Sequence, residues 1–185
     1  MRKINPQTWE AAAGLMANSI DTKRARGVSH PQSNDHDLLL AAIRNEYDSF
    51  ATIYYGAEMH EEIGVNWFSA LAIMVLDMVN FYYDNTVTLT AETVLPLLRR
   101  KQQDYGYENI DRFGTDGLFV RIHDKIARLE NIAKHTEGNN RAYQTNYETA
   151  QDTFIDLIGY CIIGCMVVRD LWRLPMQGDH ENILA

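Results

Sequence analysis

Residues 101–132 read KQQDYGYENIDRFGTDGLFVRIHDKIARLENI, and residues 146–165 read NYETAQDTFIDLIGYCIIGC. At about 100° per residue, Ile122, Ile126, Leu129 and Ala133 gather on one side of a helix. Arg121, Asp124, Lys125 and Arg128 gather roughly opposite. In the second stretch Glu148, Asp152 and Asp156 follow at i, i+4 and i+8, which aligns them as one stripe. Beyond Asp156 the residues are apolar on every face, so that part of the helix belongs in a core. Acids on two facing helices beside a basic cluster suit a divalent cation and a phosphate chain.

The totals fit this reading. With 185 residues the chain is long enough for one domain with a real core. It is 46% hydrophobic and 23% charged, the balance of an ordinary globular protein. A net charge of −8 argues against a nucleic-acid polymer as partner, since non-specific binding needs clustered Lys and Arg. A small phosphate ligand held by a few local cations is compatible with it. Cys161 and Cys165 share a helix face in an apolar run and read as small buried hydrophobes of a reducing compartment. The N-terminus has no signal-peptide core. The longest strongly apolar stretch, 154–168, is interrupted by Asp156 and falls short of the roughly 20 residues that span a bilayer. The expectation is a cytoplasmic protein, with no membrane partner.

Outward from the central stretch, the pattern predicts an all-α helical bundle of five or six helices in a single domain. A short helix is expected over 6–18 and a polar loop over 21–36, with Ser33 and Asn34 as caps for the next helix. That helix covers 37–55, and another covers 65–84, apolar nearly all round and therefore central. Asp77 lies within the latter, and an interhelix hydrogen bond is its expected compensation. Residues 86–90 read as extended. A helix over 91–104 has Pro96 near its first turn or is kinked by it. Residues 105–115 form a structured loop, and helices run over 116–135 and from about 145 to 174, where Pro175 stops the last of them. Residues 1–36 and 176–185 are expected to be loosely ordered.

Each candidate residue also has a plainer reading. Asp156, at the edge of a core, needs either a cation or a basic residue from a neighbouring helix. Asp152, one turn further out, is the second candidate metal ligand. Glu148 is a ligand or water-orienting base, or it closes a capping box with Thr145. Asp124 faces the acid stripe or pairs with Arg128 at i+4. Lys101, Asp104 and Tyr105 form one wall of a nucleotide pocket, or, with Gly106, an ordinary helix C-terminus. His123 and His135 lack partners at ligand spacing.

These residues resemble a family. Lys101–x–x–Asp104–Tyr105–Gly106, Arg112–Phe113–Gly114, Val120–Arg121–Ile122–x–Asp124–Lys125–x–x–Arg128–Leu129 and Asp152–Thr153–x–x–Asp156–Leu157 are similar to the nucleotide-modification-associated domain 1 family, found largely in phages. The match covers about residues 95–168. That family is distantly similar to the all-α MazG and dimeric dUTPase group of nucleoside triphosphate pyrophosphatases. The resemblance implies a MazG-like bundle that takes Mg²⁺ or Mn²⁺ and splits a (deoxy)nucleoside triphosphate into monophosphate and pyrophosphate. On that reading Asp124, Asp152 and Asp156 hold the metal, and Asp124 and Glu148 are catalytic. Lys101, Arg121, Lys125 and Arg128 neutralise the phosphates, while Asp104 and Tyr105 recognise base or sugar. The signature of the pyrophosphatases is E-x-x-E followed by E-x-x-D. Here Asp124 has no acid three residues away, and Asp152 and Asp156 are four apart. The reduced set implies one metal, a different reaction, or a nucleotide-binding protein without turnover. A purely structural helical oligomer is the third reading, and the apolar helix with Gly159 and Gly164 offers an oligomer interface under all three.

Overall fold

In the computed structural model, residues 5–27, 36–54, 59–82, 89–136 and 149–178 are described. They form seven helices: α1 (Trp9–Ala25), α2 (His36–Tyr54), α3 (Glu61–Tyr82), α4 (Ala91–Tyr105), α5 (Glu108–Asp111), α6 (Gly114–Thr136) and α7 (Ala150–Val167). No strand occurs among the described residues, and the fold is an all-α bundle.

α7 is the axis. It packs against α1, α3, α4 and α6. Leu157, Ile158, Cys161, Ile162 and Met166 are almost wholly buried, as an all-round apolar sequence requires. Its closest approach is to α3, where Gly164 lies under the Phe68 ring with no room for a Cβ. Gly159 faces Leu98 of α4 at close packing distance. Both glycines therefore serve packing inside the protomer, and the oligomer interface expected of this helix is occupied by α3 and α4. By length and composition α3 (Glu61–Asn80) and α7 would each be long enough to cross a membrane. Of their apolar windows, 72% and 61% are buried within the fold, as in core helices.

The helix ends explain several departures from the sequence reading. α1 does not stop near residue 18 but continues to Ala25, because Met16, Ala17 and Ile20 all bury their side chains. α1 thus gives Trp9, Ala12, Ala13, Met16, Ala17 and Ile20 to the core. Asp21 then caps the next layer: its carboxylate accepts hydrogen bonds from the N–H groups of Ala91 (2.8 Å) and Glu92 (3.1 Å) at the start of α4. Pro96 lies inside α4 rather than in its first turn. A one-turn helix, α5, interrupts the loop expected over 105–115. α7 starts at Ala150 and ends at Val167, short of Pro175. Residues 169–178 fold back instead: the Trp9 N–H donates to the Pro175 carbonyl at 2.9 Å, and the Trp9 and Trp172 rings meet edge to face. The Ser33 and Asn34 caps and most of the extended segment 86–90 lie outside the described residues.

Ion pairs also tie helices to one another. Asp77 accepts from Arg24 Nε at 2.6 Å, the interhelix bond expected of it. Arg44 of α2 holds Glu130 of α6 with two parallel bonds of 2.7 and 2.8 Å, the bidentate geometry that suits a guanidinium and a carboxylate.

Candidate functional site

The rotation of α6 decides what faces α7. Its apolar stripe (Ile122, Ile126, Leu129) is buried. Relative to that stripe, Lys125 lies about 70° round the helix and Asp124 roughly 170° round, at ~100° per residue. Lys125 therefore reaches α7, and its Nζ pairs with Asp156 at 2.9 Å. Asp124 points to solvent, its side chain 73% exposed, with His123 beside it at 4.0 Å.

Asp156 has a second partner. Lys101 Nζ of α4 binds its other carboxylate oxygen. Asp156 is mostly buried, with its side chain 15% exposed. Of the two compensations open to it, the structure supplies the basic neighbour, twice over. Two ammonium groups therefore flank the one carboxylate.

Asp152 is occupied locally. It closes a capping box on α7: Thr149 N–H and Oγ donate to its carboxylate at 3.0 and 2.7 Å, and its own N–H donates to Thr149 Oγ at 3.1 Å. The Thr149 hydroxyl, then the Thr149 amide, hold its carboxyl below the ordinary value. A capping box is thus formed by Thr149 and Asp152. Thr145 and Glu148 themselves lie outside the described residues.

A cavity of about 370 Å³ opens where α4, α5, α6 and α7 converge. Lys101, Asn109, Arg121, Asp156 and Tyr160 line it. Tyr105 lines it too, with two thirds of its surface exposed. The apolar part of the lining includes Val94, Leu98, Ile155, Ile163 and Trp172. Arg121 is held in place by donating to the Asn109 carbonyl at 3.2 Å, with its guanidinium 5.9 Å from the centre of the Tyr160 ring. The bond uses one of its five donors. A shallower groove shares Tyr105, Asn109 and Arg121 and continues past Arg112, Phe113 and Arg173.

Of the residues singled out in the sequence, Lys101, Tyr105, Arg121 and Asp156 line this cavity, and Lys125 supports it through Asp156. Asp104, Asp124, Arg128 and Asp152 do not line it. Gln102, Asn109 and Tyr160 were missed. Tyr160 was legible, one turn beyond Asp156 on the same stripe. Asn109 was not, because α5 has no periodicity to read. The expected metal ligands fail as a donor set among the described residues: Asp124 faces solvent, Asp152 caps its helix, and Asp156 is bonded to two lysines. No group of three or more His, Cys, Asp or Glu is assembled there.

The arrangement defines a class: an all-α bundle with a small, half-apolar cavity walled by cations and tyrosines. No family model, curated protein or solved structure matches the chain.

Proposed function

We propose that the cavity binds a nucleotide, and that the protein is a nucleotide-binding protein. One observation supports this above the rest: the cavity is lined by Lys101 and Arg121 together with Tyr105 and Tyr160, and the Arg121 guanidinium lies beside the Tyr160 ring. Cations suit phosphate, and tyrosine faces suit a planar base. A volume of about 370 Å³ lies at the lower end of the range of roughly 300–1,000 Å³ typical for small-molecule sites. That favours a mononucleotide over a polymer. The net charge of −8 points the same way.

A second reading keeps the pyrophosphohydrolase activity. Its support is that the two most distinctive sequence pieces meet in space, Lys125 of D-K-x-x-R-L binding Asp156 of D-T-x-x-D-L. The acids do not fit a metal centre, so no catalytic step is derived through Mg²⁺ or Mn²⁺.

The test is thermal stabilisation and calorimetric titration with nucleoside mono-, di- and triphosphates, with Mg²⁺ and with EDTA, alongside an assay for released pyrophosphate. A binding protein gives a saturable rise in melting temperature with no product; at a ligand concentration about 100 times Kd the stabilisation is roughly 2.7 kcal/mol. Metal-dependent release of pyrophosphate selects the second reading. Stabilisation by none of the nucleotides refutes both.

A further inference from the structure

Two side chains on the cavity wall have polar atoms without partners. Gln102 is only 5% exposed, yet its Nε2 has no hydrogen-bond partner among the described residues. Asn109 Oδ1 is likewise buried and unpartnered. Buried amides are almost always satisfied, so two exceptions on one small cavity need a cause. The indole nitrogens of Trp9 and Trp67 are also unpartnered, but they sit in aromatic packing, against Trp172 and Phe50, and not on this wall. Gln102 and Asn109 come from different helices, α4 and α5, and both line the cavity.

We infer that Gln102 and Asn109 read the polar edge of a planar ring bound in the cavity, one presenting a donor and the other an acceptor. The ligand class is therefore a heterocycle with a hydrogen-bond acceptor and a donor close together on one edge, joined to an anionic group that meets Lys101 and Arg121. The terminal torsion of a glutamine or asparagine amide is soft, so each group can turn onto an occupant. Each amide carries both a donor and an acceptor, so either can turn its other group onto an occupant. Unpartnered, these atoms destabilise the fold, and such a cost is tolerated where a ligand relieves it.

This inference rests on the nucleotide reading, and the experiment separates the two. The full chain is titrated with the four common ribonucleoside 5′-monophosphates and with ribose 5-phosphate, for wild type, Gln102→Met and Asn109→Ala. At least one base-bearing ligand is expected to bind about tenfold or more tighter than ribose 5-phosphate, the scale of a hydrogen bond satisfied against one left unmade. Gln102→Met, similar in size and helix propensity, is expected to narrow that gap and to raise the melting temperature of the free protein, because the orphaned donor is gone. A merely structural amide would lower it. Asn109→Ala, at a half-buried position, gives an independent loss of discrimination if Gln102→Met does not fold. Equal binding of ribose 5-phosphate and the nucleotides overturns the edge reading and leaves the phosphate site standing. Binding of none overturns the nucleotide reading itself. Nucleotide discrimination unchanged in the foldable variants also overturns the edge reading.

Discussion

Asp156→Asn separates the roles open to this acid. Asp156 lies between Lys101 and Lys125, with side chains 15%, 40% and 17% exposed. Removing its charge leaves Lys125 largely buried beside a neutral amide, while Lys101 can extend into water along its flexible stem. Breaking a fully buried pair costs about 3–5 kcal/mol and a surface pair about 0–1 kcal/mol. This pair is intermediate, so about 1–3 kcal/mol is expected. For a chain of this size each 1 kcal/mol lowers the melting temperature by roughly 2–4 °C, so the drop should be about 2–10 °C. Anion binding should move the other way. The substitution removes one negative charge, and one unit of charge about 8 Å from a phosphate, at an effective dielectric constant near 20, is worth roughly 2 kcal/mol before salt screening. The Kd for a nucleotide should fall by about 5- to 30-fold, and the gain should shrink as salt is added. Calorimetric titration at low and at moderate ionic strength reads both effects. A variant with wild-type stability that has lost binding would refute the argument. In that case Asp156 touches the ligand or a metal, and its two lysines are bystanders.

Acid should weaken the fold through Glu130 and Asp152. The Arg44 hydrogen bonds hold Glu130 below its ordinary 4.5, and Thr149 holds Asp152 below its ordinary 3.8. Both are depressed, so their stabilisation is present above those values and is lost as pH falls through the folded ones. Urea midpoints should drop from about pH 5 downward, and Arg44→Met should flatten the part of the decline that Glu130 causes. Gly164→Ala should destabilise by about 1–3 kcal/mol, the range for overpacking, since its methyl would enter the space of the buried Phe68 ring; an unchanged melting temperature would show that α3 and α7 can separate freely. Burial pushes the Cys165 thiol up to about 11 and the Cys161 thiol well above its usual range. Neither should react with a thiol reagent near neutral pH until the protein unfolds, so labelling in the native state would contradict the packing around α7.

The helices with strong apolar periodicity were legible almost to their ends. α2, α4 and α6 lie within a few residues of the sequence reading. Errors arose where tertiary contacts or local caps set the boundary. α1 extends because Ile20 has a core to enter, and its polar end is held by Asp77 and by the start of α4. α7 begins at Ala150 because the Thr149–Asp152 box caps it there. α5 is a single turn, too short for any period to show. In the site, the cations were found more reliably than the acids. Lysine and arginine can reach a cavity from the flank of a helix, whereas a carboxylate's role depends on which way its short side chain faces.

The acid stripe of α7 shows this dependence most clearly. Periodicity established that Asp152 and Asp156 share a face, and that Asp156 borders the core. It could not say what neutralises them, because the answer depends on the rotation of neighbouring helices. α6 turns Ile122, Ile126 and Leu129 inward, which carries Lys125 onto Asp156 and Asp124 into solvent. α4 places Lys101 on the other carboxylate oxygen. A metal at Asp156 would have to displace two ammonium groups and recruit oxygen ligands that the described residues do not gather there. An incoming phosphate faces an easier exchange. It can draw Lys101, the more exposed of the two, while Lys125 keeps Asp156 paired. On the proposed nucleotide reading the acid is an internal counter-ion: it pairs with both lysines and would share one of them with an incoming anion.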